Sequence, residues 1–314
     1  MKLVFFGSPD TARLSLEKLL TAGHSIEMVI TQPDRPAGRG KKTSASPVKQ
    51  FALEKGLPVL QPQRIRKEPE VLACLGQIRP DLNVVVAFGQ IMPAAVIYAP
   101  RLNTINLHFS LLPRYRGASP VQWAILGGDS VTGITVFELD EKMDEGPILT
   151  QQELPISPQE TAQTLERRLA VAGSELLVAT IATIDSIEYI PQDHDKATYA
   201  PLIKKEHGKI DWHRSAQQID RQVRAFFPWP SAFTNFQGKR IKIIRGQAEE
   251  TKSRLDGSPG RIEEIRKDGL VVCCGDSRNY CIQELQPENK KVMTAYAFSL
   301  GADVHSGDFF TSDP

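Results

Sequence analysis

Asn106 and His108 stand two residues apart in the run Thr104-Ile105-Asn106-Leu107-His108-Phe109. That spacing puts both side chains on one face of an extended strand. Polar groups in an otherwise apolar strand are expensive to bury unless they are hydrogen-bonded. Near the carboxyl end of the strand they can instead face a cleft, because open α/β sheets bind ligands there. The plainer alternative is a satisfied core histidine beside a capping asparagine. A second set of candidates follows the next strand signal, where Asp140, Glu141, Asp144 and Glu145 share one short polar run. A carboxylate from this run that met His108 would orient the imidazole, favour its charged form and be able to take a proton. The alternative is a solvated acidic turn, and spacing alone does not choose among the four acids.

No nucleophile accompanies these groups. The G-x-S-x-G elbow and the Walker A loop are both absent, and Gly7-Ser8-Pro9-Asp10 after the first strand is not G-x-G-x-x-G. An asparagine, a histidine and a carboxylate without a nucleophile suit direct transfer between two bound substrates. In such a transfer an amine attacks an acyl carbon, Asn and protonated His stabilise the oxyanion, and the carboxylate helps deprotonate the amine. The chain has 4 cysteines, Cys74, Cys273, Cys274 and Cys281, and none forms a C-x-x-C pair. Neither a disulfide scaffold nor a zinc knuckle is expected, and reduced thiols in a cytoplasmic protein are.

A basic segment forms the second cluster. Residues 35–49 carry Arg35, Arg39, Lys41, Lys42 and Lys49 with no acid, and Gly38 and Gly40 lie among them. Cations on a long loop without structure of its own suit phosphate groups. A solvated surface loop is the alternative.

The elements that must position these groups alternate between strand and helix patterns. Strand signals lie at Lys2–Phe6, Ile26–Thr31, Pro58–Gln61, Leu82–Ala87, Thr104–Phe109 and Thr132–Leu139. Helix patterns lie at Asp10–Ala22, Glu68–Gln77 and Ser119–Leu126, and a further one, opened by a capping box at Ser157-Pro158-Gln159-Glu160, runs to Ile184. This predicts an α/β domain with a mainly parallel sheet. Residues 188–209, mixed and broken by Pro191 and Pro201, read as a linker. A helix at Ser215–Phe226 and five short β runs between 232 and 285 then suggest a small barrel. Two domains also fit the length of 314 residues. The net charge of +1 gives no global sign of nucleic-acid binding. The apolar runs, such as Val84–Phe88, are far too short for a secretory or membrane segment.

Several segments together carry a family resemblance. Asn106-Leu107-His108, Ser110-Leu111-Leu112-Pro113 with Tyr115-Arg116-Gly117, and Asp144 resemble the signature of the folate-dependent formyltransferases. Thr31–Lys42 and Ser46–Lys49 resemble the insertion loop of the branch that acts on methionyl-tRNA. Ile210-Asp211-Trp212 and Arg224–Pro230 resemble landmarks of that branch's second domain. The resemblance implies a Rossmann-like formyltransferase domain over 1–187, a linker over 188–209, and an OB-fold-like β-barrel over 210–314 that contacts tRNA. It implies transfer of the formyl group of 10-formyltetrahydrofolate to the α-amine of methionine on initiator methionyl-tRNA, for translation initiation. No metal is implied, and the expectation is a cytoplasmic monomer without membrane association. By position, Asn106, His108 and Asp144 would be the catalytic trio. Ser110, Leu111, Leu112 and Pro113 would line the folate site, and Phe88, Gly89, Gln90 and Ile91 would shape the pterin pocket. Arg39, Lys41 and Lys42 would approach the acceptor stem. Phe109 and Phe227 depart from the family pattern, standing where a small residue and an asparagine are common. Formyl transfer to a small amine, hydrolysis of the folate to formate, and RNA binding without catalysis are the rival readings.

Overall fold

The structure is a computed structural model that describes residues 1–37, 42–252 and 257–312, with the side chains of 36, 37, 42, 43 and 252 also outside the description. Arg39 and Lys41 therefore lie outside the described residues, and of Lys42 only the backbone is described. The chain forms two compact units. The first holds Met1–Pro120, Val131–Pro155 and Glu166–Ala200, and the second holds Val121–Ser130, Ile156–Leu165 and Pro201–Pro314.

In chain order the elements begin with β1 (Lys2–Gly7), α1 (Asp10–Thr21), β2 (Ser25–Ile30), β3 (Arg35–Ala37), β4 (Lys42–Ser44), α2 (Pro47–Glu54), β5 (Val59–Leu60) and α3 (Pro69–Ile78). Then come β6 (Leu82–Val86), α4 (Ala94–Ile97), β7 (Thr104–His108), α5 (Pro120–Gly127), β8 (Val131–Glu138), β9 (Ile148–Pro155) and α6 (Ala162–Ala182). The first unit is built on a seven-stranded sheet of order β5-β2-β1-β6-β7-β8-β9. Strands β5, β2, β1, β6 and β7 are parallel to one another, whereas β8 pairs antiparallel with both β7 and β9. β1 from Leu3 onward and all of β6 are buried, as continuous apolar runs require in a sheet covered on both faces. The one polar residue of β6, Asn83, donates its amide to Val96 O at 3.0 Å and Thr104 Oγ1 at 3.2 Å.

Two features differ from the sequence reading. β9 is an edge strand that the sequence pattern does not announce, because Gln151-Gln152-Glu153 interrupts the alternation of apolar residues. The Ser157–Glu160 box is a closed turn rather than a helix start. Glu160 Oε2 accepts from Ser157 N at 3.1 Å and Ser157 O accepts from Glu160 N at 2.9 Å. Helix α6 opens later, after Thr161, whose hydroxyl accepts from Thr164 N at 3.3 Å. Along α6, Gly173 lets the helix approach the sheet closely, since a Cβ there would lie 2.9 Å from Leu107 Cδ2. The alternation of β7 therefore turns Leu107 toward α6 and Asn106 and His108 to the other face.

The described parts of the basic segment, 35–37 and 42–49, have structure where a loop was expected. β3 and β4 pair antiparallel, and α2 starts at Pro47 with Ser46 as its cap, accepting from Lys49 N at 3.1 Å. Lys49 Nζ meets Asp34 Oδ2 at 2.6 Å, and Gln61 Nε2 donates to Asp34 Oδ1 at 2.8 Å. Asp34 and Lys49 thus join the two ends of the segment. Arg35 likewise has a partner in Gln32 Oε1 at 3.1 Å.

The second unit contains α7 (Ala216–Phe226), β10 (Ala232–Phe236), β11 (Lys239–Lys252), β12 (Ile262–Arg266), β13 (Gly269–Cys273), β14 (Arg278–Pro287), β15 (Met293–Thr294) and α8 (Ala295–Gly301). Its antiparallel sheet has the order β10-β11-β14-β13-β12, with β15 on β14. The β run expected at Arg240–Arg245 is part of a much longer strand that continues through bulges in its pairing with β14. The end of the chain joins the two edges. Asn235 of β10 exchanges backbone hydrogen bonds with Thr311 at 2.9 Å, and Gly260, two residues before β12, accepts from Phe310 N at 2.8 Å. Both edges are covered in this way without adding a long strand. Phe310 also fills the core, stacked on Trp212 at 6.0 Å and tilted against Phe236 at 5.4 Å. Trp212 Nε1 donates to Thr234 Oγ1 at 3.0 Å, which satisfies the one polar atom of a fully buried ring.

Phe310→Ala should destabilise the second unit by ~3–5 kcal/mol, read as a lower midpoint in denaturant unfolding, because it removes a buried aromatic and leaves a cavity. The Lys49 and Gln61 hydrogen bonds hold the Asp34 carboxyl below its ordinary value of 3.8. A depressed folded value contributes stability above the unfolded one and loses it as pH falls through the folded one. The stability difference between wild type and Asp34→Asn should therefore be present at neutral pH and vanish in acid, as paired thermal melts across pH would show.

Candidate active site

β7 ends at His108, and the chain turns there into the 109–119 loop. In the antiparallel pairing Asn106 lies opposite Phe137 and His108 opposite Thr135, so these four residues share one face of the sheet. The His108 ring meets the Phe137 ring edge-on at 6.3 Å, and its Nε2 lies 2.9 Å from Tyr115 O. A carbonyl only accepts, so Nε2 carries the hydrogen and Nδ1 is the nitrogen on the other edge. That edge faces Asp144, whose Oδ2 is 3.9 Å from Nδ1. Asp144 comes from the turn after β8, and the same Oδ2 accepts from Gly117 N at 2.8 Å. His108 is 7% exposed and Asp144 14%, so the pair is shielded but open on one side. Among the described residues the Asn106 side chain has no hydrogen-bond partner, and the residue is half-buried. Its amide is thus available on the His108 face.

The loop between Ser110 and Pro113 is shaped by two polar residues that the sequence reading did not single out. Thr135 Oγ1 donates to Ser110 O at 2.6 Å and accepts from Leu112 N at 3.1 Å. Gln151, on the edge strand β9, donates to Leu112 O at 2.8 Å and to Thr135 Oγ1 at 2.9 Å. The Ser110 hydroxyl is turned inward to Arg114 O at 2.6 Å, and Leu112 packs with Phe137 and Ile148. Leu111 and Pro113 are half-buried on the loop. Phe109 is buried.

The residues expected at the pterin pocket follow β6 and divide by side chain. Phe88 is buried against Phe6, ring centroids 5.5 Å apart, while its carbonyl accepts from Gln32 Nε2 at 3.0 Å. Gly89 has φ +79°, a backbone form that suits glycine. Gln90 spans to the 62–65 segment, accepting from Ile65 N at 2.8 Å and donating to Pro62 O at 2.9 Å. Ile91 is 61% exposed. Phe88 and Gln90 therefore set the backbone of this loop, and Ile91 offers an apolar surface.

Among the described residues no cluster of three or more His, Cys, Asp or Glu is arranged to hold a metal ion, and no helix is long and apolar enough to cross a membrane. The arrangement places a proton-carrying imidazole, a carboxylate and an unengaged amide around the end of β7. Such a set can stabilise an oxyanion and move a proton.

Comparison with known proteins shows the family and the fold. The Formyl transferase family model matches residues 1–181, and the model for the formyl transferase C-terminal domain matches residues 202–303. A methionyl-tRNA formyltransferase of Koribacter versatilis is 46% identical over 310 residues, covering 98% of both chains. One of Geobacter metallireducens is 43% identical over 310 residues, covering 98% of this chain and 97% of the relative. Among solved structures, the N-formyltransferase from Helicobacter canadensis in complex with folinic acid and dTDP-3-aminofucose shares the fold, with a TM-score of 0.65 and 20% identity over 91% of this chain and 99% of that one. With matches of this extent in both halves, the chain belongs to the methionyl-tRNA formyltransferase family.

Proposed function

We propose that the protein transfers the formyl group of 10-formyltetrahydrofolate to the α-amine of methionine on initiator methionyl-tRNA. The observation that carries this reading is the facing pair of His108 Nδ1 and Asp144 Oδ2, beside the unengaged Asn106 amide. Near-full-length identity to relatives named for this reaction supports it. In the proposed reaction the amine nitrogen forms a bond to the formyl carbon, and the carbonyl electron pair moves to oxygen. Asn106 stabilises that oxygen by hydrogen bonding, and His108 does so in its imidazolium form, with a second proton on Nδ1. Asp144 holds the imidazole and takes the proton from the attacking amine. The carbonyl re-forms as the bond to N10 of the folate breaks, and the proton leaves with tetrahydrofolate. No protein nucleophile is needed, in keeping with the absence of a nucleophile elbow.

The 88–91 and 110–113 loops, which flank the ends of β6 and β7, are assigned to the folate. The basic segment, with Arg39, Lys41 and Lys42, is assigned with the second domain to the tRNA. Contacts from such a segment orient a phosphate backbone without needing a globally basic protein, consistent with a net charge of +1. The protein is assigned to the cytoplasm as a monomer.

The direct test is a formyl-transfer assay with initiator methionyl-tRNA, run beside elongator methionyl-tRNA, glycinamide ribonucleotide and water. Transfer to the initiator alone is expected; transfer to the small amine or release of formate without acceptor would overturn the tRNA assignment. His108→Ala should lower kcat by about 100-fold or more while tRNA affinity stays near wild type. Neutralising Arg39, Lys41 and Lys42 together should weaken tRNA binding and reduce the salt dependence by about one unit of log–log slope per lost phosphate contact, measured by filter binding across salt.

A further inference from the structure

Asp144 sits in a left-handed backbone conformation that few residues other than glycine, asparagine and aspartate adopt. Its φ is +53°, in the left-handed region that non-glycine residues rarely occupy and that persists only where the surroundings over-determine it. The surroundings that do so come from the stretch that the sequence presents as a linker. Gln192, 6% exposed, donates its amide hydrogens to Asp144 O at 2.9 Å and Gly146 O at 2.7 Å. Its amide oxygen accepts two hydrogen bonds from Arg116, from Nε at 3.1 Å and Nη2 at 2.7 Å. The amide can sit only one way round, because a flip would aim its oxygen at two carbonyls and its hydrogens at a guanidinium.

Arg116 is 1% exposed, and a buried cation needs opposite charge and hydrogen-bond acceptors. Glu145, next to Asp144 in the chain, supplies the charge at 3.5 Å from Nη1, and His194 Nδ1 lies 3.2 Å from Nη2. The backbone completes the clamp. Arg116 N donates to Thr198 O at 2.8 Å, and Arg116 O accepts from Ala200 N at 2.7 Å. This ties the loop that carries Gly117, the donor to the Asp144 carboxylate, to the same 192–200 segment. A Cβ at Gly117 would lie 2.8 Å from Ala200 O, and one at Gly146 would lie 1.9 Å from Glu138 O, so both flanking glycines are held against backbone.

We propose that Gln192, oriented by Arg116, is a positioning residue that fixes the Asp144 carboxylate against His108. The proposal rests on the reading above in which Asp144 acts in formyl transfer. Gln192 touches no substrate in this account and acts only through the Asp144 turn.

The test is a double-variant cycle on the full-length enzyme with Gln192→Met, Asp144→Asn and the pair. Met has similar length but neither donates nor accepts through an amide, and Glu145 remains beside Arg116 in the variant. The single Q192M change should lower kcat by about tenfold to a hundredfold, the loss expected when a reacting group is misplaced by about 1 Å. KM for both substrates should stay within about threefold, and the change should have almost no further effect in the D144N background. Wild-type kcat in folded Q192M, or an equal loss with and without Asp144, would overturn the positioning role. Wild-type turnover in D144N alone would instead overturn the role of Asp144 itself, so the two failures are distinguishable. If circular dichroism shows that Q192M does not fold, Gln192→Asn enters the same cycle. It keeps the amide but is one methylene short of the two carbonyls, and the same outcomes decide.

Discussion

The burial of one positive charge constrains much of the first unit around its candidate site. Arg116 is almost wholly removed from solvent, and an unpaired charge in such a place would cost several kcal/mol. Its guanidinium is therefore directed at groups from two separated parts of the chain. Gln192 and His194 come from the segment after α6, and Glu145 comes from the turn after β8. The loop after β7, the turn after β8 and the segment through Ala200 are thereby fixed relative to each other. The His108–Asp144 pair lies between the first two, so its geometry depends on this buried cation.

The sheet supplies the platform for that arrangement. Parallel strands β1, β6 and β7 present their carboxyl ends on one edge, where ligands of open α/β sheets bind. The switch to antiparallel pairing at β8 brings the chain back beside β7, ending with Glu138 opposite Ile105, and the turn that follows brings Asp144 Oδ2 to 3.9 Å from His108 Nδ1. The polar side chains that could disturb this region are used within it. Thr135 and Gln151 give all their hydrogen bonds to the 110–112 loop and to each other, so a loop with apolar Leu111, Leu112 and Pro113 keeps a defined backbone. The second unit solves a different problem. Its sheet has two edges, and the last residues of the described chain, through Phe310 and Thr311, pair with both while filling the core between them.

Family membership and site geometry bear on different parts of the functional reading. Full-length identity above 40% to named relatives fixes the family. It says nothing of how an amide, an imidazole and a carboxylate share the work. The geometry adds how the imidazole is held, with one His108 nitrogen against Tyr115 O and the other facing Asp144.

The amino-acid pattern by itself determined the alternating α/β architecture, the later β-rich unit and the shared face of Asn106 and His108. These follow from local periods: two residues for a strand, and continuous apolar runs for strands covered on both faces. It also carried the family motifs, which lie in contiguous stretches. It did not reveal β9, whose Gln151-Gln152-Glu153 run hides an edge strand, or the true start of α6, where Thr161 supplies a second cap close to the Ser157 box. Nor could spacing choose Asp144 from the four neighbouring acids. The tertiary structure adds a placement that spacing does not carry: the Asp144 carboxylate is bonded to Gly117 N and turned toward His108. It likewise made Gln192 and Arg116 a unit, although they are 76 positions apart. A polar residue in an apparent linker carries no local signal of burial. Its partners exist only once distant segments pack and every buried donor and acceptor must be satisfied.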